Sequence, residues 1–360
     1  MPSKKEFDRR AILKGSVIAS GVASFAGIPN LVRGKSTTEI VTHKSGDKPA
    51  KTKLVPKIWK DHLDTTRRAR QKMVDQYRGK KHIRGFGIIS VEDYYGGKRG
   101  FGVAVKTSLK VGYLPSEVLG IPIVEKEYIE PKYMHCYNTG DYDNLPGGVI
   151  LDGVGSSGSQ YYIDPDGDGA YDQHMLTAAH LAGDQCNDLT GTTITQTDDD
   201  WGTVKTQSAS LDAITCKPNS GFDVSNKIKE ESGTKTVAGF VTKNGLADMQ
   251  ATGELMYKMG METGEEVGYI DEMEVSSGPD CSDFNGEGVK AKIDVAQGDS
   301  GGPMYDVDGS DAYIIGISST ATDKKANDTD CEGDTVYSRT MGPTAYEINN
   351  VFGGQFIAPI

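Results

Sequence analysis

The 360-residue chain has little with which to span a membrane. Gly15 to Val32 is uncharged, but it is short and broken by glycines, serines and a proline, so no stable span is expected from it. Cysteine is scarce. Cys136, Cys186, Cys216, Cys281 and Cys331 are the only five, and none lies near the start, which excludes a lipid anchor there. Basic residues are sparse over residues 141–360, which carry 12 Lys/Arg against 38 Asp/Glu, a charge of −26. Residues 1–140 carry +14, and the whole chain −12. Either the two halves attract each other, or the acidic half is a well-solvated surface suited to high salt. The basic run Arg67 to Arg84 comes without a nucleic-acid-binding fold motif, so no nucleic-acid partner is expected.

What is present begins with a targeting signature. Asp8-Arg9-Arg10-Ala11-Ile12-Leu13-Lys14 ahead of the uncharged stretch looks like a twin-arginine export signal over residues 1–34, with a cut after Ser24-Phe25-Ala26. A secreted, extracellular protein is the consequence. Residues 35–84 read as a basic linker, flexible to about 60, with a short helix from Asp61 to Arg78 that turns Leu63, Ala69, Met73, Val74 and Tyr77 to one face. Residues 85–140 read as a small α+β module. Its strands fall at Ile88 to Val91, Gly102 to Val105 and Ile121 to Glu127, with a helical turn at Pro115 to Gly120. Such a module buries too little to be robust alone. Residues 141–360 form the main domain. Its many glycines and short apolar runs predict mostly β structure, with strands at Tyr161–Ile163, His174–Ala178, Thr236–Thr242, Glu254–Lys258, Val289–Ile293 and Ala312–Ser318, and a closing helix at Tyr346–Phe352.

Within that domain Gly298-Asp299-Ser300-Gly301-Gly302-Pro303 places one hydroxyl on a turn that glycine neighbours permit. A serine becomes a nucleophile only with a base in reach and a third group to orient the base. Thr177-Ala178-Ala179-His180 delivers an imidazole at the end of an apolar run, and Leu211-Asp212-Ala213-Ile214 holds one acid among apolar neighbours. The chain order is His, Asp, Ser. With TAAH before the histidine, GDSGGP around the serine and Lys258-Met259-Gly260-Met261-Glu262-Thr263-Gly264 between, residues 146–345 resemble the chymotrypsin-like (trypsin-type) serine proteases, in particular their bacterial and archaeal secreted branch.

That resemblance implies two antiparallel Greek-key β-barrels, the first at about 146–228 carrying His180 and Asp212 and the second at about 234–345 carrying Ser300. It implies a secreted serine endopeptidase acting through an acyl-enzyme on protein or peptide substrates, with the N–H groups of Gly298 and Ser300 as oxyanion hole and no cofactor required. A non-catalytic exported binding protein that keeps the fold is the alternative. Asp294, six residues before Ser300, would sit at the base of the specificity pocket and favour Lys or Arg, with Ser319, Thr320 and Ala321 as pocket wall. The remaining histidines, His43, His62, His82, His135 and His174, are expected in surface or packing roles.

Export with five cysteines predicts two disulfides, Cys186–Cys216 and Cys281–Cys331, each flanking the loops of one barrel, with Cys136 free or joined to a partner. The acidic loop Asp164, Asp166, Asp168 and Asp172 has EF-hand-like spacing, yet Met175 stands where the bidentate Glu belongs, so it is either a calcium site or a solvated hairpin tip. The basic N-terminal module, bound to its own protease domain, would make the chain a zymogen if cut at Arg78–Arg84 and again at Asp141–Leu145. The alternative is a permanent lobe.

Overall fold

The computed structural model describes residues 36–128, 142–151, 155–164, 169–230, 233–276, 278, 281–329 and 335–359, all within one unit, Ser36–Ile360. The export signature, Cys136, His135, Cys331, Asp166 and Asp168 lie outside them. The described chain is mostly β, with three α-helices among the described residues.

The lobe preceding residue 230 is built on a five-stranded antiparallel sheet in the order Ser159–Ile163, Asp172–Ala178, Ala213–Pro218, Asp199–Ser208, Thr193–Gln196. The strand Asp172–Ala178 is buried from His174 onward because both its faces are covered there. Met175 packs with Trp201, Val204 and Ile214, while Leu176 joins Tyr161, Leu211 and Ile317 on the other side. The second lobe belongs to a sixteen-stranded sheet. Through it run Gly233–Val241, Asp311–Ile317, Pro303–Asp308, Leu255–Gly260 and Gly264–Val275 in that spatial order.

The N-terminal segment enters this same sheet from both ends. Strand β1 (Thr37–Ser45) pairs with Gly233–Val241 through His43↔Val241 and forms a hairpin with β2 (Lys48–Pro56). Strand β3 (Ile83–Tyr95) pairs with Gly264–Val275 through Ile88↔Met273 and with β4 (Lys98–Thr107), which runs parallel to Ile121–Glu127. The expected flexible linker is therefore corrected. Its Lys- and Thr-rich composition is that of a sheet-edge strand with one solvated face, and Ile40 and Val55 are its buried apolar residues beside the buried Thr42 and His43. The expected helical turn at Pro115–Gly120 is a tight hairpin instead. Glu117–Val118 pairs back onto Ile121–Pro122, with Leu119 (φ 55°) and Gly120 (φ 73°) as the left-handed turn.

Helix α1 spans Lys57–Tyr77, with Pro56 as its N-cap, and so begins four residues before Asp61. Trp59, Leu63, Thr66, Arg70, Met73 and Tyr77 recur at alternating spacings of four and three, so one stripe is buried. Trp59 and Leu63 share a core with Ile88, Phe101, Val241, Leu246, Met256, Met273 and Ile315. Buried charge crosses the same boundary. Asp248 takes Lys53 at 2.5 Å and Lys98, Glu274 takes Arg67 at 2.7 Å, Glu272 takes Lys106 at 3.4 Å, and Asp306 takes His43 at 2.8 Å. All four carboxylates are under a tenth exposed. Helix α2 (Lys243–Thr252) packs beneath β1, and α3 (Ala345–Phe352) closes the chain against Asp311–Ile317.

Candidate active site

The strand Asp172–Ala178 ends in a 3-10 turn, Ala179–Leu181, that holds His180 at its centre. Asp212 caps a second 3-10 turn, Ala209–Leu211, in the left-handed region at φ 49° and ψ 50°. A residue other than glycine held there is strained, and its surroundings must over-determine it. They do. Its Oδ1 accepts the His180 N–H at 2.9 Å, its Oδ2 lies 2.7 Å from His180 Nδ1, and its carbonyl accepts the Ala179 N–H at 3.1 Å. Because Asp212 is wholly buried and accepts at Nδ1, the neutral ring carries its hydrogen there and keeps its lone pair on Nε2. Ser319 Oγ donates to the same Oδ2 at 2.5 Å.

Ser300 sits on the turn that the glycine spacing predicts, with Gly298 at φ 98° and Gly301 at φ 86°. A Cβ on Gly301 would stand 2.1 Å from Thr177 Oγ1 and 2.3 Å from the Ser156 carbonyl, so this glycine lets the serine turn touch the strand leading to His180. Ser156 ties the turn down twice. Its N–H donates to the Ser300 carbonyl at 2.6 Å and its Oγ to the Gly298 carbonyl at 2.7 Å. Ser300 Oγ donates to the Ser319 carbonyl at 3.2 Å. Among the described residues the N–H groups of Gly298 and Ser300 take no part in the hydrogen bonds of the turn.

Asp299 explains the Lys258–Gly264 motif. Its carboxylate is fully buried and receives Lys258 Nζ at 2.6 Å, Thr263 Oγ1 at 2.7 Å, the Ala296 N–H at 2.9 Å, and the Glu262 and Thr263 N–H groups at 3.0 Å each. A Cβ on Gly260 would lie 2.1 Å from Asp299 Oδ1. The lysine, first glycine and threonine of the motif thus all serve one carboxylate, next in sequence to Ser300.

The residues expected as pocket wall have these surroundings. Ser319 turns its hydroxyl to Asp212, Thr320 is fully buried, and Ala321 packs with Val295 and the half-buried Tyr337. Asp294 is half-buried beside the Val295–Tyr337 bridge. Of the acidic loop, Asp164 accepts the Gly169 N–H at 2.8 Å and Asp172 pairs with Lys217 at 2.5 Å, whose hydrogen bond holds Asp172 below the usual carboxylate range. The disulfide expectation is corrected. Cys186 bonds Cys281, joining the two lobes, while Cys216 lies buried as a thiol within Ala213–Pro218. Ser156 and the roles of Ser319 and Lys258 were beyond sequence reasoning. Only the Lys258 motif carried a signal.

A search of curated proteins finds no match. Three bacterial structures overlay on 60% of this chain and 100% of their own. They are the Nocardiopsis protease NAPase (18% identity, TM-score 0.44), Cellulomonas bogoriensis chymotrypsin (19%, 0.41) and Thermobifida fusca protease A (20%, 0.41). The sequence model of the family described as Trypsin matches residues 170–339, slightly less than half of the chain.

Proposed function

We propose that the chain is a serine endopeptidase in which Ser300 attacks the acyl carbonyl, His180 takes its proton and returns it to the leaving amine, and Asp212 holds the imidazole and stabilises its charged form. The observation that carries this reading is the 2.7 Å contact of Asp212 with His180 Nδ1, in a chain whose trypsin-family segment also holds Ser300 on a glycine turn. The N–H groups of Gly298 and Ser300 serve the developing oxyanion. A trypsin-family segment implies peptide substrates, and the half-buried Asp294 is proposed to favour Lys or Arg at the cleaved bond. Export by the twin-arginine route rests on the Arg9-Arg10 signature.

Hydrolysis of a denatured protein substrate, abolished in Ser300→Ala, is the test. Fluorophosphonate labelling of Ser300 in the wild type should be lost in the same variant. A folded protein that neither hydrolyses nor labels would be the non-catalytic binding protein instead. Asp294→Ala should weaken cleavage after Lys and Arg in a peptide library; a wild type that cleaves after apolar residues, with no change on Asp294→Ala, would remove the basic preference.

A further inference from the structure

The segment Cys281–Gly286 belongs to the connection between the strands Gly264–Val275 and Gly288–Lys292 of the second lobe, yet its fixings lie elsewhere. Cys281 is disulfide-bonded to Cys186, six residues beyond His180. The Asp283 N–H donates to the Ser210 carbonyl at 3.1 Å, two residues before Asp212. Phe284 is fully buried against Val275 and Met341, and the Met341 carbonyl accepts the N–H of Ser319 at 3.0 Å. The three residues at its end, Phe284 (φ 51°), Asn285 (φ 49°) and Gly286 (φ 75°), are all left-handed. For an aromatic residue that conformation is strained and persists only where surrounding contacts impose it. Arg78 of the N-terminal segment pairs with Asp283, and the Arg70 guanidinium fills the space where a Gly286 Cβ would stand, at 2.4 Å.

We propose that Cys281–Gly286 is a strap that positions the His180–Asp212 pair of one lobe against Ser319 and Ser300 of the other, with the Cys186–Cys281 bridge as its principal fixing. The reasoning is geometric. Three attachments of one short segment lie next to the imidazole and the two residues that hold it: Cys186 follows His180, Ser210 precedes Asp212, and Met341 anchors Ser319. A staple serving stability alone could join the lobes anywhere, whereas displacing a catalytic base by about 1 Å costs on the order of a hundredfold in rate. Cys186, Cys281 and the other strap residues touch no reacting atom. They act through His180, Asp212 and Ser319.

The inference rests on the hydrolase reading, and the experiment separates the two. Cys186→Ser/Cys281→Ser is compared with wild type at 25 °C, and folded wild type is also reduced with a phosphine and alkylated, in case the double variant does not fold. The expected result in the bridge-less forms is a fall in kcat of tenfold or more, with KM within twofold of wild type. Fluorophosphonate labelling should slow in parallel. A bridge-less form that melts lower but keeps its kcat and labelling rate overturns the positioning role. An inactive wild type overturns the hydrolase reading and this inference with it.

Discussion

Asp299 is the residue on which the serine turn depends, and Lys258 is its only cation partner among the described residues. Both side chains are fully buried, so Lys258→Met would leave a carboxylate with neutral donors alone. Breaking one partner of such a pair costs about 3–5 kcal/mol. The variant should lose that much stability in urea unfolding, and hydrolysis should fall because the turn next to Asp299 loosens. Ser319→Ala tests a finer effect. Removing a hydrogen bond to a charged group costs about 1.5–3 kcal/mol, so kcat should drop roughly ten- to a hundredfold while KM holds. That His180 and Asp212 would meet, and that Ser300 would sit on a glycine turn, was legible in sequence because each lies in a short motif. Ser319 was not. Which way its hydroxyl turns depends on Asp212, more than a hundred residues earlier in the chain, and sequence spacing carries no such information.

The strand Asp172–Ala178 joins site and fold, and it carries a second imidazole, which is buried. His174 is buried with Nδ1 3.1 Å from Thr215 Oγ1, and burial pushes its pKa down to about 4. Above pH 6.5 the ring is neutral both folded and unfolded, so it leaves stability unchanged. As pH falls from 6.5 towards 4 the unfolded chain takes up a proton that the folded one refuses, and stability declines by about 3 kcal/mol. The difference in unfolding free energy between wild type and His174→Asn, followed from pH 7 to pH 4, should show that slope. A pH-independent difference would mean that His174 is solvated. At this scale all six strands expected in the main domain are present, since apolar runs between turns mark them well, but others such as Asp199–Ser208, Gly264–Val275 and Thr335–Pro343 were not marked. Elements whose burial comes from remote partners were not. The hairpin β1–β2 reads as a linker because one of its faces is solvated, and the Cys186–Cys281 bridge is hidden because it joins two lobes rather than one barrel's loops.

The whole molecule turns on whether residues 36–128 are a removable cover or a permanent lobe. Charge alone would favour a cover, since surface attraction is screened by salt and yields easily. The buried face is of another kind. Ile40, Val55, Trp59, Leu63, Ile88 and Phe101 pack against Val241, Leu246, Met256, Met273 and Ile315. Six large apolar side chains at about 1.5–3 kcal/mol each amount to the stability of an ordinary domain, roughly 5–15 kcal/mol. A chain beginning at Tyr142 is therefore expected not to fold alone, and deleting 36–128 should give insoluble or unfolded protein by circular dichroism. Arg78 to Lys81 is the exposed, basic loop where a protease would nick first. After such a cut the two pieces should stay together in size-exclusion chromatography at 0.1 M and at 1 M salt alike, with activity kept, because burial of apolar surface is not weakened by salt. Dissociation at high salt, or a rise in activity when the N-terminal piece leaves, would instead identify residues 36–128 as an inhibitory cover held by charge.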